Sequence, residues 1–303
     1  MATGPDAATA DRACRFGLLG TGPWAAGTQG VALAEHPEVD FVGVWGRDPA
    51  KARAVAEQFG VRAYPDVDTL IADVDAVAIA LPPDVQAELA ERAARAGRHL
   101  LLDKPLALSV EAADRVVAAV EATGVASVIF YTNRFYSNVD AFLVDAAGRS
   151  WDGARVTMLA SIFQPGNPYG ASPWRRDKGG LWDIGPHALS IVLPVLGPVA
   201  TVAAMAGPHA TTHVLLRHES GAVSTLALTL DAPPDAMAHE LFLLGPAGPV
   251  QVPSGDATPV VAFGGAIDQL LAGVAAGRSA HPCDVWFSRE VVAVLAEVEA
   301  VRL

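Results

Sequence analysis

The stretch Gly20-Thr21-Gly22-Pro23-Trp24-Ala25 decides the fold of this chain. It follows a short apolar run, residues 15–19, and precedes a segment of helical composition that extends to about residue 36. In such a strand–turn–helix unit the first glycine permits a tight turn, and the second lets the backbone approach a pyrophosphate. A small third residue allows the helix to pack on the strand. A plain turn is the alternative, but this setting favours a dinucleotide site with its phosphates at the helix N-terminus.

The rest of the first 131 residues repeats the pattern of apolar runs separated by helical stretches of 10–15 residues. The predicted strands are residues 15–19, 40–45, 76–81, 99–102 and 125–131. Near-continuous apolar strands that alternate with helices indicate a parallel sheet covered on both faces. Because such crossovers are almost always right-handed, the sequence predicts a doubly wound Rossmann sheet.

After residue 131 strand-like segments follow one another directly, which predicts a C-terminal α+β domain with a mainly antiparallel open sheet. The predicted strands are residues 156–163, 199–206, 212–218, 222–230 and 240–244, and the predicted helices are residues 137–147, 183–196, 264–276 and 288–301. The predicted organisation is a disordered leader over residues 1–13, a Rossmann domain over 14–131 and a substrate and oligomerisation domain over 132–303. The last helix is expected to pack back across the boundary near Tyr131.

Bulk composition excludes several classes of protein. A net charge of −12 argues against nucleic acid as the main partner. No uninterrupted apolar run approaches the roughly 18 residues of a membrane span, and residues 1–16 lack the apolar core of a secretory signal. The two cysteines, Cys14 and Cys283, form neither a disulfide framework nor a metal-binding motif. The expectation is a cytoplasmic protein without a metal.

The end of the second predicted strand bears on the choice of cofactor. A fold selective for NAD usually carries Asp or Glu there for the ribose 2′-hydroxyl, whereas Arg suits the 2′-phosphate of NADP. Here the chain reads Trp45-Gly46-Arg47-Asp48-Pro49. Asp48 is better explained as a helix cap before Pro49, which leaves Arg47 at the reading position, with Lys51 one turn further. NADP is therefore favoured over NAD, although Arg47 could also be a solvated surface arginine.

Two further motifs carry polar side chains toward the same region. Asp103-Lys104-Pro105 directly follows a predicted strand, and ligands of open α/β sheets bind outside the carboxyl ends of the strands. The second motif is Gly179-Gly180-Leu181-Trp182-Asp183-Ile184-Gly185-Pro186-His187, in which Asp183 and His187 share a face if the segment is helical. A nearby helix N-terminus would favour a neutral His187, as a general base requires. Taken singly, each could be structural: a surface lysine, an N-cap and a core histidine.

Together the glycine turn, the Lys-Pro motif and the Gly-Gly-x-x-Asp-x-Gly-x-His segment resemble the glucose–fructose oxidoreductase / inositol dehydrogenase / rhizopine catabolism (Gfo/Idh/MocA) family. The resemblance covers nearly the whole chain from Cys14. It implies hydride transfer between NAD(P) and a hydroxyl or keto carbon of a sugar, cyclitol or similar polyol. It also implies a homodimer or homotetramer formed through the C-terminal sheet.

The resemblance assigns roles residue by residue. Lys104 would polarise the reacting oxygen, His187 would donate or accept the proton, and Asp183 would orient the substrate. The Lys104–Pro105 bond is expected to be cis. Further positions are expected beside the cofactor (Leu81, Pro82, Asp103 and Lys104) or in the substrate cleft (Asn133, Arg134, Trp174 and Arg175).

Three positions depart from the family pattern. Asp103 replaces the usual glutamate, Gln86 stands where a histidine is common, and Ser190 replaces an aspartate often found after the histidine. The substrate contacts are therefore open. The competing hypothesis is a cofactor-binding sensor or regulatory protein of the same fold, without redox chemistry. Retention of Lys104, Asp183 and His187 favours the enzyme.

Overall fold

The computed structural model describes residues 12–303, so most of the predicted leader lies outside the described residues. The first half forms a six-stranded, all-parallel sheet in the order β3-β2-β1-β4-β5-β6, which confirms the doubly wound prediction. Its central strands are almost entirely buried, since helices cover both faces. The strands are β1 (Cys14–Leu19), β2 (Val39–Trp45), β3 (Arg62–Ala63), β4 (Ala76–Ile79), β5 (His99–Asp103) and β6 (Ser127–Phe130).

Two helices of this half, residues 49–59 and 110–123, begin and end at capping residues that are recognisable in the sequence. Asp48 accepts hydrogen bonds from the backbone N–H groups of Ala50 and Lys51, and Gly60 ends that helix in the left-handed conformation. A helical segment over residues 23–35 follows the glycine turn, with π-type turns across Ala25–Gln29. The helices are α1 (Gly30–Glu35), α2 (Pro49–Phe59), α3 (Val67–Asp73), α4 (Pro83–Arg95) and α5 (Val110–Thr123).

The second half forms a six-stranded sheet in the order β12-β11-β7-β10-β9-β8. Only β7 and β10 pair in parallel, so the prediction of a mainly antiparallel sheet is confirmed. The strands are β7 (Gly153–Leu159), β8 (Val199–Ala206), β9 (Thr212–His218), β10 (Val223–Thr229), β11 (Ala238–Gly245) and β12 (Gly248–Gln251). The helices are α6 (Ser137–Ala147), α7 (Pro173–Asp183), α8 (Gly185–Leu196), α9 (Pro259–Ala275) and α10 (Val285–Val301).

The helix predicted over residues 183–196 comprises the end of α7 and all of α8, which meet at Ile184. Ile184 keeps a right-handed helical conformation (φ −108°, ψ −21°), its N–H donates to the Gly180 carbonyl oxygen at 3.0 Å, and its carbonyl oxygen accepts from the Ala188 N–H at 3.3 Å. Pro186 lacks a backbone N–H, so one hydrogen bond of the helical ladder is missing at this junction. The backbone leaves the helical conformation earlier, at Gly179 (φ 63°, ψ −159°) within α7.

The last two helices return to the first sheet. The Tyr131 hydroxyl donates to Ser288 Oγ of α10 at 2.9 Å, and α9 packs against β5 and β6. The expected packing of the last helix across the boundary is confirmed. The division of roles at residue 131, with cofactor before it and substrate after it, stays a prediction.

Only one stretch of the described chain, residues 173–196, is long and apolar enough to be compared with a membrane span. It comprises α7 and α8, which meet at Ile184, and 72% of its most apolar window is buried inside the protein. Burial of this extent is typical of helices in the core of a protein.

Candidate active site

A cavity of about 570 Å³ opens at the carboxyl ends of the parallel strands and continues toward the second half of the chain. Such a position is where open α/β sheets bind ligands. Most of the residues predicted for the site line it: Gly22, Pro23, Trp24, Arg47, Leu81, Pro82, Asp103, Lys104, Trp174, Arg175, Asp183 and His187.

The glycine turn forms one wall of this cavity. Gly20 has φ 141°, and a Cβ there would lie 2.4 Å from the carbonyl oxygen of Ala80, so only glycine fits. At Gly22 an added Cβ would meet no atom of residues 12–303 within 4 Å, and the residue faces the cavity. The turn therefore leaves room against its backbone at the N-terminal end of a helix, which fits a dinucleotide pyrophosphate. Thr21 does not line the cavity and lies against Gly46.

Arg47 and Lys51 line the cavity at the end of β2 and the start of α2, and both are exposed. The Asp48 carboxylate between them caps α2 and is engaged by backbone N–H groups. Two cations and no free carboxylate thus face the place where a ribose 2′-substituent is read in this fold.

Lys104 lies at the opposite end of the cavity in a buried ion-pair network. Its ammonium Nζ donates to the Asp183 carbonyl oxygen at 2.5 Å and to Asp183 Oδ1 at 2.8 Å. Arg175 Nε donates to Asp183 Oδ2 at 3.0 Å, and the Arg175 guanidinium lies over the rings of Tyr169 and Trp174. An ammonium carries three donors, so one N–H of Lys104 remains for a ligand. The predicted cis bond between Lys104 and Pro105 is confirmed.

The two carboxyl groups beside Lys104 are shifted in opposite directions. Burial would raise the pKa of Asp183, but the charges of Lys104 and Arg175 outweigh it and hold that pKa at about 2. Burial raises the pKa of Asp103 to about 6, against the opposing charge of Lys104. Asp183 is therefore a fixed anion at neutral pH, whereas Asp103 titrates near the physiological range.

His187 lines both this cavity and a second one of about 400 Å³ on its other side. Burial, and then the charge of Lys104, lower the pKa of His187 to about 3, so its imidazole is neutral at physiological pH. The second cavity lies over β7 and β11, where Met158 and His239 face each other across the two strands. None of its nine lining residues in the described chain is Asp, Glu, Lys or Arg.

The remaining predicted residues lie apart from the main cavity. Asn133 lines the second cavity. Arg134 does not line the main cavity, and its Nη1 donates to the carbonyl oxygen of Ser190 at 2.9 Å. Ser190, where an aspartate is common, is fully buried and donates to the His187 carbonyl oxygen at 2.8 Å. It thus supports the first turn of α8.

The segment between β7 and α7 brings residues to the cavity that the sequence reasoning missed. They include Ile162, Pro168, Tyr169 and Ser172. The strand predicted over residues 156–163 ends at Leu159 in the structure, so Ile162 lies in this segment. Beyond residue 163 the segment has neither strand nor helix periodicity, and its sequence signal is an aromatic residue among glycine and proline in Pro165-Gly166-Asn167-Pro168-Tyr169-Gly170. Thr132, just after β6, was missed as well.

Models of two families match the chain. Residues 14–131 match the oxidoreductase family with an NAD-binding Rossmann fold, GFO_IDH_MocA, and residues 153–250 match the GFO/IDH/MocA C-terminal domain. Together these ranges cover more than half of the chain. The chain belongs to the Gfo/Idh/MocA oxidoreductase family.

Curated relatives and solved structures agree with this assignment. The chain is 31% identical to a dTDP-3,4-didehydro-2,6-dideoxy-alpha-D-glucose 3-reductase of Streptomyces antibioticus, over 77% of this chain and 74% of the relative. It is 31% identical to D-xylose 1-dehydrogenase (NADP(+)) 2 of Haloferax volcanii, over 72% and 70%. The WlbA dehydrogenase of Bordetella pertussis, solved with NADH and UDP-GlcNAcA, shares the fold at 23% identity and a TM-score of 0.81, covering 96% of each chain.

Proposed function

We propose that this protein is an NADP-dependent dehydrogenase or reductase that acts on a CH–OH or keto carbon of a sugar, cyclitol or similar small polyol. The observation that carries the proposal is the arrangement of one cavity. Lys104, Asp183 and His187 meet at one end, and the glycine turn with Arg47 lines the other.

The cofactor's phosphates would be held by the turn at Gly22 and the helix N-terminus behind it, where backbone N–H groups favour anions. Arg47 and Lys51 would bind the 2′-phosphate of NADP. NAD stays the alternative, since Arg47 is exposed and could also be a solvated surface arginine. When bound, the nicotinamide supplies or accepts the hydride.

The chain's own residues handle the proton and the charge on oxygen. A neutral His187 accepts the proton of a substrate hydroxyl, which its low pKa allows at physiological pH. The remaining N–H of Lys104 stabilises the negative charge that develops on the same oxygen. Asp183 fixes the Lys104 ammonium through two acceptors, so the donor is already oriented before substrate arrives.

The second cavity supports an uncharged polyol as the substrate. It adjoins His187 and offers Asn133 and His239 as hydrogen-bonding groups, and no Asp, Glu, Lys or Arg of the described chain lines it. A relative named for D-xylose, an uncharged sugar, supports the same substrate class. We also propose that a second copy of this chain is a partner, and that it binds the face of the second sheet that no helix covers. A cytoplasmic location stays a prediction.

Turnover by active-site variants tests the proposal. Wild-type protein is mixed with NADPH and a panel of keto-sugars, or with NADP⁺ and the matching sugars, and absorbance of the reduced nicotinamide is followed. Lys104→Met and His187→Asn should each lower kcat by about 10²–10⁴-fold, the usual contribution of a positioned acid–base or charge-stabilising group. Their NADPH dissociation constants should stay within a few-fold of wild type.

Near-normal turnover in both variants would contradict the assigned roles. Tight NADPH binding by the wild type without turnover of any panel member would instead favour the non-catalytic sensor.

A further inference from the structure

Gln86 lies in the first turns of α4, is fully buried and does not line the cavity. Its amide nitrogen Nε2 donates to the Asp103 carbonyl oxygen at 2.6 Å and to the Pro105 carbonyl oxygen at 3.0 Å. Its amide oxygen Oε1 accepts from the Asp103 backbone N–H at 3.2 Å. One side chain therefore holds three backbone groups on the two residues that flank Lys104.

These hydrogen bonds are formed at the point where strand pairing in the first sheet ends. Asp103 is the last residue of β5, paired with Phe130 of β6, and the register ends there. Lys104 and Pro105 follow without a strand partner among the described residues, although the Lys104 side chain must reach Asp183 with its Nζ 2.8 Å from Oδ1. Up to Asp103 the backbone is held by strand pairing in the sheet, and beyond Asp103 it is held by hydrogen bonds to the Gln86 amide.

The chemistry of the contact selects glutamine. Two carbonyl oxygens need two donors, which a primary amide supplies from one nitrogen while its oxygen accepts from a third group. A neutral histidine has one ring N–H, so it can serve only one of the two carbonyls. A glutamate would place an oxygen against both of them.

We propose that Gln86 is a positioning residue for the reaction. It fixes the backbone on both sides of Lys104, so that the ammonium stays between Asp183 and the reacting oxygen. This proposal rests on the proposed function, in which Lys104 stabilises charge on that oxygen.

Gln86→Met tests this role because methionine has similar length and no hydrogen bonds to offer. We expect kcat to fall at least ten-fold, with the NADPH dissociation constant unchanged within about two-fold. Gln86→His keeps one donor and should recover part of kcat. Gln58→Met, at an exposed glutamine of α2, is the matched control and should behave as wild type.

A variant with a comparable loss of stability distinguishes a positioning role of Gln86 from a purely structural role. Val120→Ala removes buried volume near the end of α5, away from residues 103–105, and should lower the melting temperature without lowering kcat. If Gln86→Met and Val120→Ala lower kcat alike, or if Gln86→Met leaves kcat unchanged, the positioning role is wrong.

Amide hydrogen exchange of the backbone tests the Gln86 contact without requiring that the substrate be known. If the wild type turns over no member of the sugar panel, the proposed function fails, while the contact can still be measured. Amide hydrogen exchange at Asp103 should then be at least ten-fold faster in Gln86→Met than in wild type or Gln58→Met. Unchanged exchange at Asp103 would overturn the proposal.

Discussion

His187 illustrates how one residue's environment sets its chemistry. The sequence predicts a neutral imidazole because of a nearby helix N-terminus. In the structure the neutral form is favoured first by burial and then by the charge of Lys104, which together bring the pKa to about 3. The predicted state agrees with the structure, but the leading cause differs, since burial depends on contacts between distant segments.

This shift makes folding stability depend on pH. The pKa of His187 is lower in the folded chain than the ordinary value of 6.5, so the unfolded chain takes up the proton first as pH falls. The contribution of His187 is complete above pH 6.5 and is lost as pH falls toward about 3. The loss should reach about 2 kcal/mol by pH 5. Urea unfolding at pH 8 and pH 5 should show a smaller difference for His187→Asn than for wild type.

The comparison between variants isolates His187 from its neighbours. Asp183, with its pKa held at about 2, loses stabilisation only below pH 4, and Asp103 acts in the opposite sense because its pKa is raised. His209→Asn, at an exposed position with φ 55° that asparagine tolerates, is the control. Equal pH dependence in all three proteins would contradict a neutral, buried His187.

Arg47 carries the cofactor prediction at the residue scale. Arg47→Ala should weaken NADPH binding by about ten-fold, roughly 1.4 kcal/mol, because an exposed cation gives the low end of a charge-assisted contact. NADH binding should change less than two-fold. The measurement is fluorescence titration of both reduced cofactors, with Arg53→Ala in α2 as control, since Arg53 is exposed and does not line the cavity. Equal losses for both cofactors would show that Arg47 does not read the 2′-position.

Among the elements, those with a strong period of their own could be predicted from the sequence. Helix α6 and strands β8 and β9 have the predicted bounds, and β9 alternates buried and exposed residues along its whole length. The two-residue strand β3 and the short helix α3 were not predicted, because neither is long enough to show a period.

The residues of the candidate site also fall into those that the sequence could predict and those that it could not. Motif residues such as Lys104, Asp183 and His187 could be predicted because their spacing and position after strands are local properties. The role of Gln86 and the contribution of Tyr169 depend on which segments meet in three dimensions. Arg134 was predicted in the cleft, and only the fold shows its bond to Ser190.

The turn between β1 and the helix after it separates folding from binding. Gly20→Ala places a Cβ 2.4 Å from the Ala80 carbonyl oxygen at φ 141°, so it should lower the melting temperature strongly. Gly22→Ala meets no described protein atom within 4 Å, so the fold should stay intact. Its methyl group would project into the space of the phosphates, and NADPH affinity should fall at least ten-fold. Thermal melts and NADPH titration measure the two effects.

Gly27→Ala, in the helical segment that follows the turn and with no atom near its added Cβ, is the control for the thermal melt and for NADPH titration. Intact NADPH affinity in Gly22→Ala would remove the turn from the cofactor site.

At the scale of the whole molecule, the two sheets expose different surfaces. The first sheet is covered by helices on both faces, whereas the second has helices on one face and leaves the other open. On that open face Leu215 pairs with Ala203 and Thr225, and Met205 lies on the neighbouring strand. Met205 and Leu215 are 60% and 47% exposed, and a groove of about 530 Å³ runs between these strands. An apolar face of this kind is typical of a surface that another protein covers.

A second copy of this chain is the proposed partner for that face, and the face then has to be self-complementary, as a two-fold interface requires. Leu215→Glu places a charge in its centre, so the dimer should dissociate to the 31.3 kDa monomer in light scattering after size exclusion. The melting temperature of the isolated monomer should remain measurable, because the Leu215 side chain is outside the core of the sheet. Val144→Glu introduces the same charge at a 72% exposed residue of α6 and should leave the dimer intact. A monomeric wild type, or a Leu215→Glu variant with the wild-type mass, would show that the open face is not the contact between copies.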